Sequence, residues 1–138
     1  MFPLVACDCG DGEPTDEDLI EKFIEDVTGD VDAGYVARCL AYVDFERYPI
    51  DVRVPHHAGV YNADRSDEIL GRFRQVIKRR FMGSELKRRS SNFEIDGDKA
   101  EVKLALLSAV GPLRAEITLE KPAPGTWLVS RVHIEPRF

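Results

Sequence analysis

The sequence predicts an α+β domain in which about three helices pack on a mostly antiparallel sheet ending in a four-stranded meander. Three observations predict it. Residues 85–136 alternate apolar and polar side chains with a period of two, interrupted at Asp96-Gly97, Gly111-Pro112 and Pro122-Ala123-Pro124-Gly125. The chain before them carries apolar residues at helical spacing in three segments. Between the second and third of these, Pro49 and Pro55 bracket the short alternating stretch Ile50–Val54.

The first helix is expected to begin at Thr15, an N-cap residue followed by Asp16, Glu17 and Asp18 at the positive end of the helix dipole. Leu19, Ile20, Phe23, Ile24 and Val27 form its stripe, and Gly29 stops it. The second starts at Asp30 or Asp32 and turns Tyr35, Val36, Cys39, Leu40 and Val43 inward. After the Ile50–Val54 strand, His56-His57-Ala58-Gly59 reads as a turn. Asn62, Asp64 or Ser66 caps the third helix, whose stripe is Ile69, Leu70, Phe73, Val76, Ile77 and Phe81, with Gly83 at its end.

In the meander, Ala100, Val102, Leu104 and Leu106 share one face, as do Leu113, Ala115, Ile117 and Leu119. Leu128, Val132 and Ile134 are expected on that inner face, with Trp127, Val129, Arg131 and His133 outside. Pairing Leu119 with Leu128, and Leu106 with Ile117, keeps one apolar face and sets Glu116 against Arg131 and Lys103 against Glu120. The first strand fits less cleanly. With Ile95 opposite Ala100, either Ser91 and Arg89 turn inward, or a bulge near Ser90–Asn92 brings in Leu86, Arg88 and Ser90. Polar groups reach the inner face either way, which reads as a sheet edge where the core runs out or as the polar wall of a pocket; Tyr48, Arg88 and Ser90 are the candidate lining in the second reading.

With 138 residues, 43% of them apolar and 32% charged, the chain has the composition of a globular protein of one domain. A net charge of −6 argues against nucleic acid as a partner. The charge is uneven. Residues 1–46 hold thirteen acidic and two basic side chains, whereas residues 72–89 hold eight basic ones against Glu85 alone. The basic run reads as a solvated face or as an anion-binding patch.

Leu4-Val5-Ala6-Cys7 resembles a bacterial lipobox, in which a small residue precedes a cysteine that is acylated. A signal peptide also needs a basic region and 7–15 apolar residues ahead of the box, and here Met1-Phe2-Pro3 precede it. Asp8–Thr15 then reads as a flexible acidic tether, so residues 1–15 form a signal-peptide remnant and tether and residues 16–138 the folded domain. The resemblance implies a lipid bilayer as partner through Cys7, and a place in the bacterial envelope; an accidental match implies the cytoplasm. As half of a metal site Cys7-Asp8-Cys9 lacks the usual further ligands, and no metal or cofactor is expected.

The order of elements resembles the NTF2-like (cystatin-like α+β) superfamily. Gly59-Val60-Tyr61 through Asp67-Glu68-Ile69-Leu70 is similar to that family's entry into its long helix, and Gly125-Thr126-Trp127-Leu128-Val129 resembles its last strand. The resemblance implies a cone with a cavity between a curved sheet and the helices. In ketosteroid-isomerase-like members an aspartate precedes the proline closing the early strand; here Val54 precedes Pro55. Dehydratase-like members use histidine with aspartate or tyrosine, which makes His56, His57, Asp51 and Tyr61 the weak catalytic candidates. Two roles follow: a non-enzymatic domain binding a small molecule or a protein, or a cofactor-free dehydratase or isomerase. A homodimer through Trp127, Val129, Arg131 and His133 is a third expectation, since such domains often pair by the outer sheet face.

Overall fold

The computed structural model describes residues 13–136. Cys7 and the preceding box lie outside them. Helix α1 spans Asp16–Val27, strand β1 Gly29–Asp30, helix α2 Tyr35–Leu40, strands β2 Ile50–Val54 and β3 His57–Tyr61, and helix α3 Ser66–Val76. The meander follows as β4 Glu85–Asp96, β5 Lys99–Ser108, β6 Gly111–Ala123 and β7 Thr126–Pro136. The sheet runs β1-β4-β5-β6-β7-β2-β3, antiparallel throughout except where β2 lies parallel to β7. The architecture is the α+β arrangement of three helices on a curved, mostly antiparallel sheet that the sequence predicts.

Thr15 caps α1 as expected. Its hydroxyl accepts from the Asp18 amide while the Asp18 carboxylate accepts from the Thr15 amide, a reciprocal capping box. Ile20, Phe23 and Ile24 are its buried stripe and pack against Ala100, Val102, Leu104 and Leu119 of the sheet. A second, smaller core gathers Val31, Tyr35, Ile77 and Leu86, with Phe73 and Phe81 against it. This core seats the end of α3 on the start of β4.

Several local expectations are corrected. Gly29 (φ +83) does stop α1, but Gly29–Asp30 then pairs with Glu85–Leu86 as β1 before α2 begins. Helix α2 is six residues long, so Val43 falls beyond it. The segment His56–Gly59 is not one turn. Pro55-His56 is a two-residue turn, with His56 at φ +66, and His57 opens β3 opposite Val54. Asn62 caps a short 3-10 turn, Ala63–Arg65, that leads into α3. The last turn of α3 widens to a π-turn, Ile77–Phe81, and Met82 donates to the Ile77 carbonyl. Val76 falls off the buried stripe and is 41% exposed.

The meander keeps the predicted faces of β5 and β6 but not the predicted pairings. Ile117 lies opposite Val102, not Leu106, and opposite Val132, not Ser130. Both displacements are even, so the apolar rows stay together. The turns set them. Ser108 pairs with Gly111 across Ala109-Val110, and Ala123 with Thr126 across Pro124-Gly125, where Gly125 adopts φ +82. Lys103 consequently faces Glu116, Lys99 faces Glu120, and Arg131 faces Thr118.

Strand β7 also contains a bulge. Thr118 pairs with Arg131 while Leu119 pairs with Val129, leaving Ser130 as the extra residue. One inserted residue reverses the inside and outside of everything before it. Trp127 and Val129 therefore join the core with Leu119, and Leu128 lies on the other face opposite Glu120. The bulge in β4 falls at Arg89, between Arg88 and Ser90, which combines the two readings of that strand. Ser91, Phe93 and Ile95 face inward below the bulge, and Arg88 and Leu86 above it.

Candidate functional site

Strand β3 alternates so that His57, Gly59 and Tyr61 share the inner face, opposite Val54, Val52 and Ile50 of β2. His57 and Tyr61 are linked by a hydrogen bond between the imidazole Nε2 and the phenol hydroxyl, their rings 5.9 Å apart and nearly parallel. Gly59 lies between them. A Cβ there would sit 3.3 Å from the Tyr61 hydroxyl oxygen, so the bare backbone gives that hydroxyl its room. Tyr61 is 1% exposed, whereas its partner His57 is only half-buried.

Arg65 caps the other side of the tyrosine. Its guanidinium lies 4.6 Å from the ring centroid, a cation–π contact. The 3-10 turn positions it: the Asn62 side chain accepts from the Arg65 amide, and the guanidinium donates to the Val60 carbonyl and to Glu68. The cluster thus offers an imidazole and a phenol hydroxyl in contact, a pair able to pass a proton, beside a fixed cation.

The other expected site residues are not brought to it. His56 is exposed at the tip of the Pro55-His56 turn. Asp51 lies on the outer face, paired with Val60 and Arg131, so it stands across the sheet from His57. Tyr48 is half-buried in the loop before β2, its amide donating to the Asp44 carbonyl. Arg88 faces inward opposite Leu106 and reaches Glu21 of α1 at 3.5 Å. Ser90 lies opposite Ala105 on the outer face and is exposed, so it does not line the interior. Among the interface candidates, Arg131 and His133 keep the outer face, His133 3.5 Å from Glu135. Trp127 and Val129 do not, because of the Ser130 bulge.

The space between α1 and the sheet is filled by Ile20, Phe23, Ile24, Val102 and Leu119. Two open clefts among the described residues lie at opposite ends of the domain. One, of about 440 Å³, lies between Asp30–Asp32 and Met82–Glu85. The other, of about 460 Å³, lies between the start of α1 and the β6–β7 turn. Neither is lined by His57 or Tyr61. Among the described residues no three His, Cys, Asp or Glu side chains gather as metal ligands, and no helix is long and apolar enough to cross a membrane.

Two polar ties escaped the sequence reading. At the first turn of α1, Asp16 accepts from the Trp127 indole N–H at 3.1 Å and from the Lys121 ammonium at 2.9 Å. The Lys121 hydrogen bond holds the Asp16 carboxyl below the usual carboxylate range. Further along α1, Asp26 accepts from the Tyr42 hydroxyl at 2.5 Å and from Lys22 at 2.9 Å. Burial opposes the charge on Asp26, but those hydrogen bonds outweigh it and keep its carboxyl below the ordinary range. Burial also pushes the Cys39 thiol up to about 11, consistent with an inert, packed side chain.

The tie at Asp26 has a pH signature. A carboxyl lowered in the folded state adds stability above its unfolded value near 3.8, and that stability is lost as pH falls through the folded value. The acid limb of a stability–pH curve is therefore expected to steepen below about pH 4 and to flatten in Asp26→Asn. Urea titrations at stepped pH check this; an unchanged acid limb in the variant would count against the tie.

The chain matches no protein-family model, and no curated protein is similar to it in sequence. Solved structures do resemble it. A protein of the NTF2-like family from Streptomyces avermitilis, described as a candidate dehydratase, superposes with a TM-score of 0.66 at 12% identity, over 87% of this chain and 94% of that one. A protein of unknown function with a cystatin-like fold from Nostoc punctiforme gives 0.63 at 16% identity, over 90% and 94%. A DUF4783 family protein from Bacteroides ovatus gives 0.56 at 12% identity, over 92% and 99%. Identities this low speak for the fold alone, and the chain has the NTF2-like, cystatin-like α+β fold.

Proposed function

We propose that this is a non-catalytic binding or assembly domain of the bacterial envelope, held at a bilayer through Cys7 and acting through its surface. The filled interior carries this reading. Ile20, Ile24 and Leu119 are completely buried and Phe23 and Val102 nearly so, where a pocket enzyme of this fold needs open volume beside its base. In this reading the residues between Cys7 and the Thr15 cap, Asp8–Pro14, act as the tether, with a reach of about 25 Å at most. Expressing the gene in a bacterium from its native locus with the upstream DNA included, fractionating the product, and weighing its N-terminal peptide tests the anchor. The expected result is an acylated Cys7 in the membrane fraction, and a soluble Cys7→Ser variant. An unmodified, soluble wild type sinks the envelope reading.

The His57–Tyr61 contact favours a second reading, a cofactor-free dehydratase or isomerase. In it His57 moves the proton and Tyr61, with Arg65 at its ring, steadies a developing oxyanion. Deuterium exchange next to the carbonyl of a panel of small ketones is the measurement. Exchange at the buffer rate, or a rate untouched by Tyr61→Phe, removes this reading.

A further inference from the structure

One end of the sheet carries cations and bare apolar side chains together. Four of the five large hydrophobic residues left exposed among the described residues lie around this end: Val76, Met82, Leu107 and Val110. Met82 is 47% and Val110 49% exposed. Both sit at turn tips, Met82 at the end of the π-turn and Val110 in the β5–β6 turn. Both tips lie at one end of the sheet, because Lys87 just after the first turn pairs with Leu107 just before the second. Gly83, at φ +84, makes the corner sharp enough to project Met82.

Exposed cations lie on the segments before and after Met82. Lys78, Arg79 and Arg80 occupy the π-turn, and Lys87 and Arg89 the start of β4; all five are exposed. None of them forms an ion pair with another described residue, although six Lys or Arg side chains elsewhere among the described residues do. Asp30 and Glu85 stand nearby on the paired β1 and β4, and Asp32 is held by Arg38. The local balance remains positive in a chain whose net charge is −6.

We propose that this tip docks on a bilayer surface bearing anionic headgroups, with Met82 and Val110 entering the interface and the surrounding cations meeting the phosphates. These two apolar groups are single residues at turn tips, with Met82 also lining the cleft between Asp30–Asp32 and Met82–Glu85. The exposed side chains on the segments leading to Met82 are mostly cationic; that charge is complementary to phosphate headgroups and favours a deformable, negatively charged surface. The contact is separate from Cys7. Helix α1, about 18 Å long, begins near the β6–β7 turn and ends beside β1, so tether and tip lie at opposite ends of the domain.

The test uses the full chain with Cys7→Ser, so that no acyl chain contributes. It is floated with vesicles of equal parts phosphatidylglycerol and phosphatidylcholine, and with pure phosphatidylcholine. Flotation is expected only with the anionic vesicles, weakening as salt is raised. Each cation near the surface is worth about fivefold in affinity, so Arg79→Glu with Arg80→Glu should cost more than roughly tenfold. Met82→Asp with Val110→Asp should also lower binding several-fold, while circular dichroism melts stay unchanged. No flotation of the Cys7→Ser chain at low salt overturns the proposal and leaves the Cys7 anchor standing. So does binding that ignores the Met82 and Val110 changes, or binding to polyglutamate in place of vesicles, which would mark an acidic protein as the partner.

Discussion

Trp127→Ala is expected to destabilise the domain by about 3–5 kcal/mol, the range for emptying a large aromatic site in a packed core. The indole is 4% exposed and packs in the main core with Val129, Leu119 and the buried face of α1. Its N–H donates to Asp16, and Lys121 lies 5.4 Å from its ring while bonding the same carboxylate. The alanine thus empties volume, breaks the tie between the first turn of α1 and the end of the meander, and leaves Asp16 to Lys121 alone. Trp127→Phe separates these terms. It keeps most of the volume and should lose only the hydrogen bond, roughly 1.5–3 kcal/mol because the acceptor is charged. Urea unfolding followed by circular dichroism is the measurement, since Trp127 is the only tryptophan. An alanine variant within about 0.5 kcal/mol of wild type would mean that Trp127 lies outside, where strict alternation puts it.

Tyr61→Ala should cost a similar amount, about 3–5 kcal/mol. The ring is 1% exposed between β2, the start of α3 and the Arg65 guanidinium. Its removal frees His57 and opens a hole beneath Gly59. Tyr61→Phe should cost about 1 kcal/mol, because half-buried His57 can turn to water for the hydrogen bond it loses. The two substitutions are informative together. A large loss in Tyr61→Phe, approaching that of alanine, would mean that the hydroxyl and imidazole form an isolated polar pair. A small loss assigns the residue's contribution to stability mainly to packing.

The outer sheet face carries a different message once Trp127 and Val129 are withdrawn from it. Glu101 accepts from Thr118, Lys103 faces Glu116, Arg131 lies between Thr118 and Asp51, and His133 lies between Glu116 and Arg53. Charges alternate across the strands in the pattern that stabilises a solvated sheet face. The aromatic anchor expected for a homodimer through this face is absent from it.

Residue identity alone determined most of the element types, strands β1 and β3 excepted, and most of the core. Thr15 with Asp18 is a capping box on paper and in space, and the stripes of α1 and β5 are the buried ones. Tyr61 and His57 were legible as residues worth watching, but their contact was not. The chain reads His57–Gly59 as a turn, and only pairing with Val52 and Val54 draws it into a strand that aligns His57 with Tyr61. Alternation specifies which face a residue takes only until a bulge intervenes. Strand pairings shifted by two or four residues keep every apolar row intact, so turn geometry chose among them. The extra residue at Ser130 then moved Trp127 and Val129 inward, where a buried indole with an Asp16 acceptor is far more stable than one held in water. Nothing local marks Ser130 as a bulge. Its position follows from fitting β7 to both Leu119 and Ile117 while the Val129 amide donates to the Tyr42 carbonyl, contacts that come from distant parts of the chain. The same is true of the basic tip: the cations are plain in the sequence, but folding alone brings the π-turn that carries them and the β5–β6 turn that carries Val110 to one end of the sheet.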